Sequence, residues 1–326
     1  MAKILTIILN WRTAEMTLKS AEAALQAMQG IEGALSIVDN HSEDGSFELM
    51  TAQVKARGWD RGAHQVRVLQ AGRNGGFGAG NNHGIRAGLP DGGRPDYIYV
   101  LNSDAFPEPE AIKLLVAFLE VHPRYAMAGS FIQGIDGAPH HTAFRFPTML
   151  GEFEQAAKFG PLSRLLRRYV IAPPLPQMTE KVDWVAGASL LIRQSALDDV
   201  GLFDEAFFLY YEETELCHRA AAAGWGTAYV RESRVTHIGS VSTGMKKWNR
   251  IPQFWLDSRL YYFSKTKGRL YASFATGACV LGGLLWRARV LLQRQDINDP
   301  KYFLKDMLAH WGRNACGIRP PKGGLR

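Results

Sequence analysis

Short, continuously apolar runs alternate with helix-patterned stretches through the first 131 residues, and few folds accommodate that rhythm. Ile4–Leu9 reads as a buried strand and Thr13 to Met28 as a helix. Leu35–Val38 is the next strand, followed by a helix from Ser46 to Arg57. Val66–Leu69 leads through a glycine-rich turn into a helix from about Gly80 to Ala87. Tyr97–Leu101 precedes a helix from Glu108 to Val121, and Tyr125–Phe131 forms a fifth strand. Continuous apolar strands separated by helices imply a mostly parallel sheet covered on both faces. Ligands bind such sheets beyond the carboxyl ends of the strands. Four of those ends are polar: Asn10-Trp11, Asp39-Asn40, Asn74-Gly75-Gly76 and Asn102-Ser103-Asp104.

Composition narrows the setting. With 326 residues, 46% hydrophobic and 21% charged, the chain can bury a large core and is not intrinsically disordered. Cys217, Cys279 and Cys316 lie far apart, which excludes a disulfide scaffold and a zinc ribbon and fits a reducing compartment. The six-residue run Ile4 to Leu9 is too short for a secretory signal, so a cytoplasmic location is expected. The net charge of +7 is concentrated. Lys246 to Arg294 holds ten basic residues and one acid, Asp257, or +9, which points to an anionic partner for that stretch.

The polar strand ends suggest specific chemistry. A carboxylate at Asp39 can accept hydrogen bonds from a base or a ribose, while Ser42, Asp44 and Gly45 read as turn and cap. The run Asn74 to Gly84 would let backbone approach a ligand closely ahead of a helix N-terminus, although a purely structural turn fits it equally. It is not the dinucleotide fingerprint, because Asn81 and His83 stand where that pattern needs glycine. Asp104 reads either as a ligand for Mg²⁺ or Mn²⁺, with Asn102 supplying a neutral carbonyl beside it, or as a helix-start acid before Pro107.

Taken in order, these blocks resemble glycosyltransferase family 2, with its GT-A nucleotide-diphospho-sugar fold, and within it the bacterial rhamnosyltransferase-like enzymes. The second half adds Asp183-Trp184-Val185-Ala186-Gly187-Ala188, the stretch Gly201 to Phe208, the stretch Tyr211 to Arg219, and Thr236-His237-Ile238-Gly239-Ser240. The resemblance spans residues 3 to 245. It implies a donor half over 1–131, an insertion or flap over 134–180, an acceptor half over 181–245, and a basic helical extension over 246–326. It implies donor contacts from Asn10, Trp11, Asp39, Asn74, Gly75, Phe77, Asn81, Asn102 and Ser103. Asp104 and His237 would hold the divalent cation, and Asp183, Trp184 and Gly187 would line the acceptor and sugar side. The family usually shows Glu-Asp where this chain has Glu212-Glu213, so Glu213 is the implied base and Glu212 the fallback. The implied donor is a dTDP- or UDP-sugar, and the implied acceptor a glycan or polyprenyl-diphosphate carrier.

In physical terms Glu212 to Ala223 patterns as a helix. Glu212, Glu213 and Glu215 in its first turn suit the macrodipole, which suffices for Glu215. Within the flap, Arg164, Arg167 and Arg168 are read on one short helix, as a solvated face or a lipid-phosphate contact. Leu270 to Trp286 is uncharged for 17 residues between basic flanks. With Tyr261, Tyr262, Phe263 and Trp286 it fits an interfacial helix on anionic lipid, at the inner face of the cytoplasmic membrane; a buried helix or homodimer contact is the competing reading. Two functional readings compete with sugar transfer: a sugar-phosphate nucleotidyltransferase, and a non-catalytic sugar-nucleotide or polysaccharide-binding protein. Nucleic acid is not expected, because the aromatics cluster with an apolar run.

Overall fold

The computed structural model describes residues 2–239, 248–294 and 300–314; Ser240, Lys246, Lys247 and Cys316 lie outside the described residues. The alternating half forms β1 (Lys3–Asn10), α1 (Ala14–Ala27), β2 (Glu32–Asp39), α2 (Ser46–Ala56), β3 (Val66–Gln70), α3 (Gly76–Ala87) and β4 (Tyr97–Asn102). It continues through β5 (Ala105–Pro107), α4 (Ala111–Val121) and β6 (Tyr125–Gln133). Next come β7 (Ala143–Phe144), α5 (Met149–Ala157), α6 (Gly160–Leu165), β8 (Glu180–Val182), β9 (Trp184–Val185), β10 (Ser189–Arg193) and α7 (Gln194–Val200). The described residues continue with α8 (Glu212–Ala222), β11 (Gly226–His237), α9 (Gln253–Lys267), α10 (Arg269–Leu292) and α11 (Phe303–Asn314).

Nine strands form one sheet in the order β3-β2-β1-β4-β10-β6-β11-β5, with β8 also on β11. The first four are mutually parallel, whereas β10 runs antiparallel between β4 and β6. Strand order reverses between β1 and β4, so their carboxyl ends open a crevice at Asn10-Trp11 and Asn102 to Asp104. Apolar side chains fill both faces of the sheet. Ile4, Ile8, Leu35 and Tyr99 meet α1, α2 and α4 on one side. Leu5, Ile7, Val38 and Val100 meet α3, α7 and α8 on the other.

Helix α3 begins at Gly76, four residues earlier than its sequence suggests. Its glycines are close-approach points. A Cβ on Gly80 would stand 2.3 Å from Leu9, and one on Gly76 would stand 1.8 Å from the carbonyl oxygen of Phe208. Packing demand therefore outweighs the low helix propensity of glycine here. Helix α4 likewise starts at Ala111 rather than Glu108, because 105–107 is drawn into the sheet as β5 against β11.

The stretch 134–180 is more than a flap. Its helix α5 packs along α10, and α6 ends at Leu165, so only Arg164 of the three arginines is helical. Arg259 of α9 is buried between these elements. It donates to Glu152 of α5 at 2.6 and 2.9 Å, to Thr276 Oγ1 at 3.1 Å and to the Ala275 carbonyl at 3.2 Å. Tyr262, Phe263 and Trp286, expected at a lipid surface, are instead buried, and Tyr261 packs half-buried against Phe207.

Candidate active site

One cavity of about 570 Å³ opens at the crevice between β1 and β4. Trp11, Asn74, Phe77, Asn102, Ser103, Asp104, Gly187, Glu212, Glu213 and His237 all line it. The sequence thus brings ten of its candidate residues to one cavity, from six separate segments.

Asp104 and His237 face each other because β5 pairs with the end of β11, matching Ala105 to His237. His237 Nε2 stands 3.0 Å from Asp104 Oδ1, and Asp104 Oδ2 accepts from Gly239 N at 3.1 Å. The amide of Asn102 lies 3.4 Å from His237 Nε2. A carboxylate and an imidazole whose donor atoms are 3.0 Å apart match two adjacent ligands of one cation with bonds of ~2.1 Å. No group of three His, Cys, Asp or Glu side chains able to hold a metal occurs among the described residues. Such a donor pair suits a cation whose remaining ligands are diphosphate oxygens and water. The residues present therefore fit Mg²⁺ or Mn²⁺ held jointly with a nucleotide.

Opposite them stand the two acids at the start of α8. Glu212 and Glu213 are held there by Tyr210 and Tyr211, two consecutive non-glycine residues at φ 69° and 70°. Such left-handed residues cost ~1–2 kcal/mol each, and strain of this kind concentrates at functional sites. Glu212 Oε2 and Glu213 Oε2 are both buried without a hydrogen-bond partner among the described residues. Glu213 Oε1 lies 3.5 Å from the Gly187 amide. Burial raises both carboxyl pKa values, and the neighbouring charge of Glu213 pushes Glu212 up further. Two adjacent buried carboxyls resist ionising together, so the pair holds a proton to higher pH than a free carboxyl would. Glu215 points elsewhere, to Arg219 at 2.8 Å and Lys265 at 2.7 Å, a structural ion pair.

Six candidates do not reach the cavity as binding groups. Asp39 is buried, its oxygens accepting from Asn10 Nδ2, Ser42 Oγ and the Ser42 amide, so Asn10 and Asp39 tie β1 to β2. Asn81 donates to the Phe77 carbonyl inside α3. Asp183 accepts from the Phe146 amide, and Trp184 stacks on Phe144 at 4.2 Å, so this pair secures the small β7–β9 sheet. Gly75 also stands outside the lining and caps α3 instead. Ser42 thus serves this network as well as the turn, through both its hydroxyl and its amide.

The cavity also recruits residues the sequence did not single out for it. Asn40 donates to Asn74 Oδ1 at 2.9 Å, steadying the loop before α3. His140, His141 and Thr142 close one side, and Phe208 and Tyr210 another. The adjacent histidines are visible in the sequence, but their reach to the cavity depends on the turn after β6, where His140 N bonds the Ile132 carbonyl.

Comparison with known proteins bears on the family and the fold. A model of the family described as "glycosyltransferase like family 2" matches residues 35–253. The N-acetylglucosaminyl-diphospho-decaprenol L-rhamnosyltransferase of Mycobacterium tuberculosis is 32% identical over 218 residues, covering 64% of this chain and 67% of that protein. Rhamnosyltransferase WbbL of Escherichia coli (strain K12) is 28% identical over 167 residues, 50% of this chain and 60% of its own. Among solved structures, the mannosyltransferase PcManGT from Pyrobaculum calidifontis, in complex with GDP-Man and Mn²⁺, superposes with a TM-score of 0.57 at 12% identity. That match covers 97% of this chain and 81% of the other, and it speaks for the fold alone.

Proposed function

The chain belongs to glycosyltransferase family 2 and has the GT-A fold, and from that premise we propose an inverting transfer of a deoxyhexose such as rhamnose from a dTDP- or UDP-sugar to a lipid-linked acceptor. The observation that carries the reading is the meeting of two kinds of site in one cavity. The Asp104–His237 pair stands on one wall and two partnerless buried carboxyl oxygens on another. The named activities of the relatives support the sugar and the diphospho-polyprenol carrier.

Glu213 acts as the base. It takes the proton of an acceptor hydroxyl while that oxygen bonds to the anomeric carbon, and the bond from that carbon to the diphosphate oxygen breaks with its electron pair. A raised pKa suits this role, since a base works best with a pKa near the operating pH. A proton retained by the acid pair leaves one negative charge beside the acceptor instead of two. Asp104 and His237 would hold the divalent cation, which when bound neutralises charge on the departing diphosphate. Gly187 leaves room for the Phe77 ring beside Glu213, since a Cβ there would stand 3.1 Å from that ring and 3.8 Å from Glu213 Oε1. A cytoplasmic reaction follows from the nucleotide donor and accords with Cys217 and Cys279, both free thiols.

The test is a product analysis with dTDP- and UDP-sugars, a polyprenyl-diphosphate acceptor and Mn²⁺. The expected products are the nucleoside diphosphate and a glycosylated lipid with inverted anomeric configuration. Release of pyrophosphate would identify a nucleotidyltransferase, and donor binding without turnover or hydrolysis a binding protein.

A further inference from the structure

Helix α10 has one face built into the protein and one that nothing among the described residues covers. Leu270, Phe274, Leu281, Leu284, Leu285 and Leu292 are between 46 and 85% exposed. At about 100° per residue these six fall within about 100° of arc, so they form one stripe about 33 Å long. Gly277 and Ala288, also exposed, fill the gaps in it without adding a polar group.

We infer that this outer face of α10 docks on an anionic lipid bilayer, with the helix lying in the membrane plane. Charge singles out that partner. Lys267 and Arg269 stand at one end of the stripe and Arg287, Arg289 and Arg294 at the other, and no acid occurs from Ser258 to Gln295. Arg287 lies on one flank of the stripe, where a long basic side chain extends to headgroups while leucines enter the acyl boundary, and Arg289 lies on the other. The adjoining chain extends the surface. Arg289 donates to the Lys158 carbonyl at 2.6 Å and stacks 5.0 Å over Phe159, itself 40% exposed.

The other occupants fit less well. By length and composition alone α10 could cross a bilayer. Its inner face, however, carries Thr276 Oγ1 and the Ala275 carbonyl, both bonded to buried Arg259. Gly282 lies so close to α5 that a Cβ there would stand 2.5 Å from the Phe153 carbonyl. Spanning would strip these contacts and strand a buried charge. A second copy on the same face would bring basic ends against basic ends, whichever way the helices ran. Anionic lipid meets both the apolar stripe and its rim.

Docking in this orientation links the membrane to the cavity through α9. Ser258 of α9 donates to the Leu209 carbonyl at 3.1 Å, and Leu209 and Tyr210 line the cavity. The surface stands independently of the sugar-transfer reading, since vesicle binding and transfer are measured separately.

The experiment is co-sedimentation of the full chain with vesicles of phosphatidylcholine, and of phosphatidylcholine mixed with phosphatidylglycerol, at low and high salt. Wild-type protein is expected to bind the anionic vesicles at least tenfold more tightly, with binding weakened by salt. Leu281→Asp/Leu285→Asp should lower that binding at least about tenfold. Arg287→Gln/Arg294→Gln should lower it several-fold while leaving the apolar stripe intact. Circular dichroism, thermal midpoint and hydrolysis of soluble donor should match wild type in both variants, since none of the four side chains touches the cavity. Three results would overturn the assignment: no sedimentation of wild type, equal sedimentation of the Leu281→Asp/Leu285→Asp variant, or a solution dimer that this variant dissociates.

Discussion

Replacing Gly76 by alanine separates two explanations of the glycine-rich segment. If the glycines serve only to bring backbone near a phosphate, Gly76→Ala weakens donor binding and leaves the fold alone. The structure argues otherwise. Gly76 has φ +86°, and its Cβ would stand 1.8 Å from the Phe208 carbonyl oxygen, which also accepts the Phe77 amide at 3.0 Å. Gly45 is the matched control, with φ +82° and nothing within 4 Å of its Cβ. Both substitutions place alanine in left-handed backbone, a cost of ~1–2 kcal/mol. Only Gly76→Ala also displaces a carbonyl and its hydrogen bond, adding ~1–3 kcal/mol. Urea unfolding should therefore show losses of ~2–5 kcal/mol for Gly76→Ala and ~1–2 kcal/mol for Gly45→Ala. Because Phe208 leads directly into Tyr210 and Glu212, transfer should also fall by about 10–10²-fold in the first variant alone. Equal stability losses would refute the claim that α3 docks on the 203–211 segment through Gly76.

The acid pair yields a pH signature. Burial raises the Glu213 pKa, so transfer should climb with pH through a limb above the ordinary carboxylate range, and Glu213→Gln should abolish it. Glu212, raised by burial and by the charge of Glu213, binds its proton more tightly folded than unfolded, so it opposes folding increasingly as pH rises above 4.5. Glu212→Gln removes that term: the thermal midpoint should rise relative to wild type at pH 8 but not at pH 4, with transfer reduced only a few-fold. An unchanged difference between the two pH values would contradict a raised Glu212 pKa. Glu152→Gln should cost ~3–5 kcal/mol by leaving the Arg259 guanidinium buried and unpaired. Glu152→Leu/Arg259→Met should come within ~1–2 kcal/mol of wild type in denaturant midpoint, because it removes both charges together. Parallel losses in the single and double variants would show that the pair is not the source of the effect.

The four parallel strands were legible because continuous apolar runs of that length tolerate neither solvent nor a helical period. Strand β10 was not: Ser189–Arg193 has the same composition whichever way it runs, and its antiparallel place depends on long-range pairing with β4 and β6. The strand ends that bear chemistry could be read from polar residues closing apolar runs, which is how Asn102, Ser103 and Asp104 stood out. Residue type alone could not tell a polar group facing the cavity from one fastening its wall. Asp39 and Asp183 carry the right chemistry but spend it on Ser42 and Phe146. The strained pair Tyr210-Tyr211 has no sequence signature, since tyrosine advertises nothing about left-handed backbone. For α10, composition identified an apolar helix with basic flanks but not which face was free. Tyr262, Phe263 and Trp286 proved to be buried, and Phe274 and the leucines of α10 exposed.

The central claim is that Asp104 and His237 hold a nucleoside diphosphate through a divalent cation in the cavity that Glu213 shares. Calorimetric titration of dTDP and UDP into wild-type protein and Asp104→Ala, with Mn²⁺ or with chelator, tests it most directly. One diphosphate should bind wild type in Mn²⁺, lose at least about tenfold in affinity in chelator, and fail to bind Asp104→Ala under either condition. Equal affinity with and without metal, or undiminished binding by Asp104→Ala, would contradict the assignment.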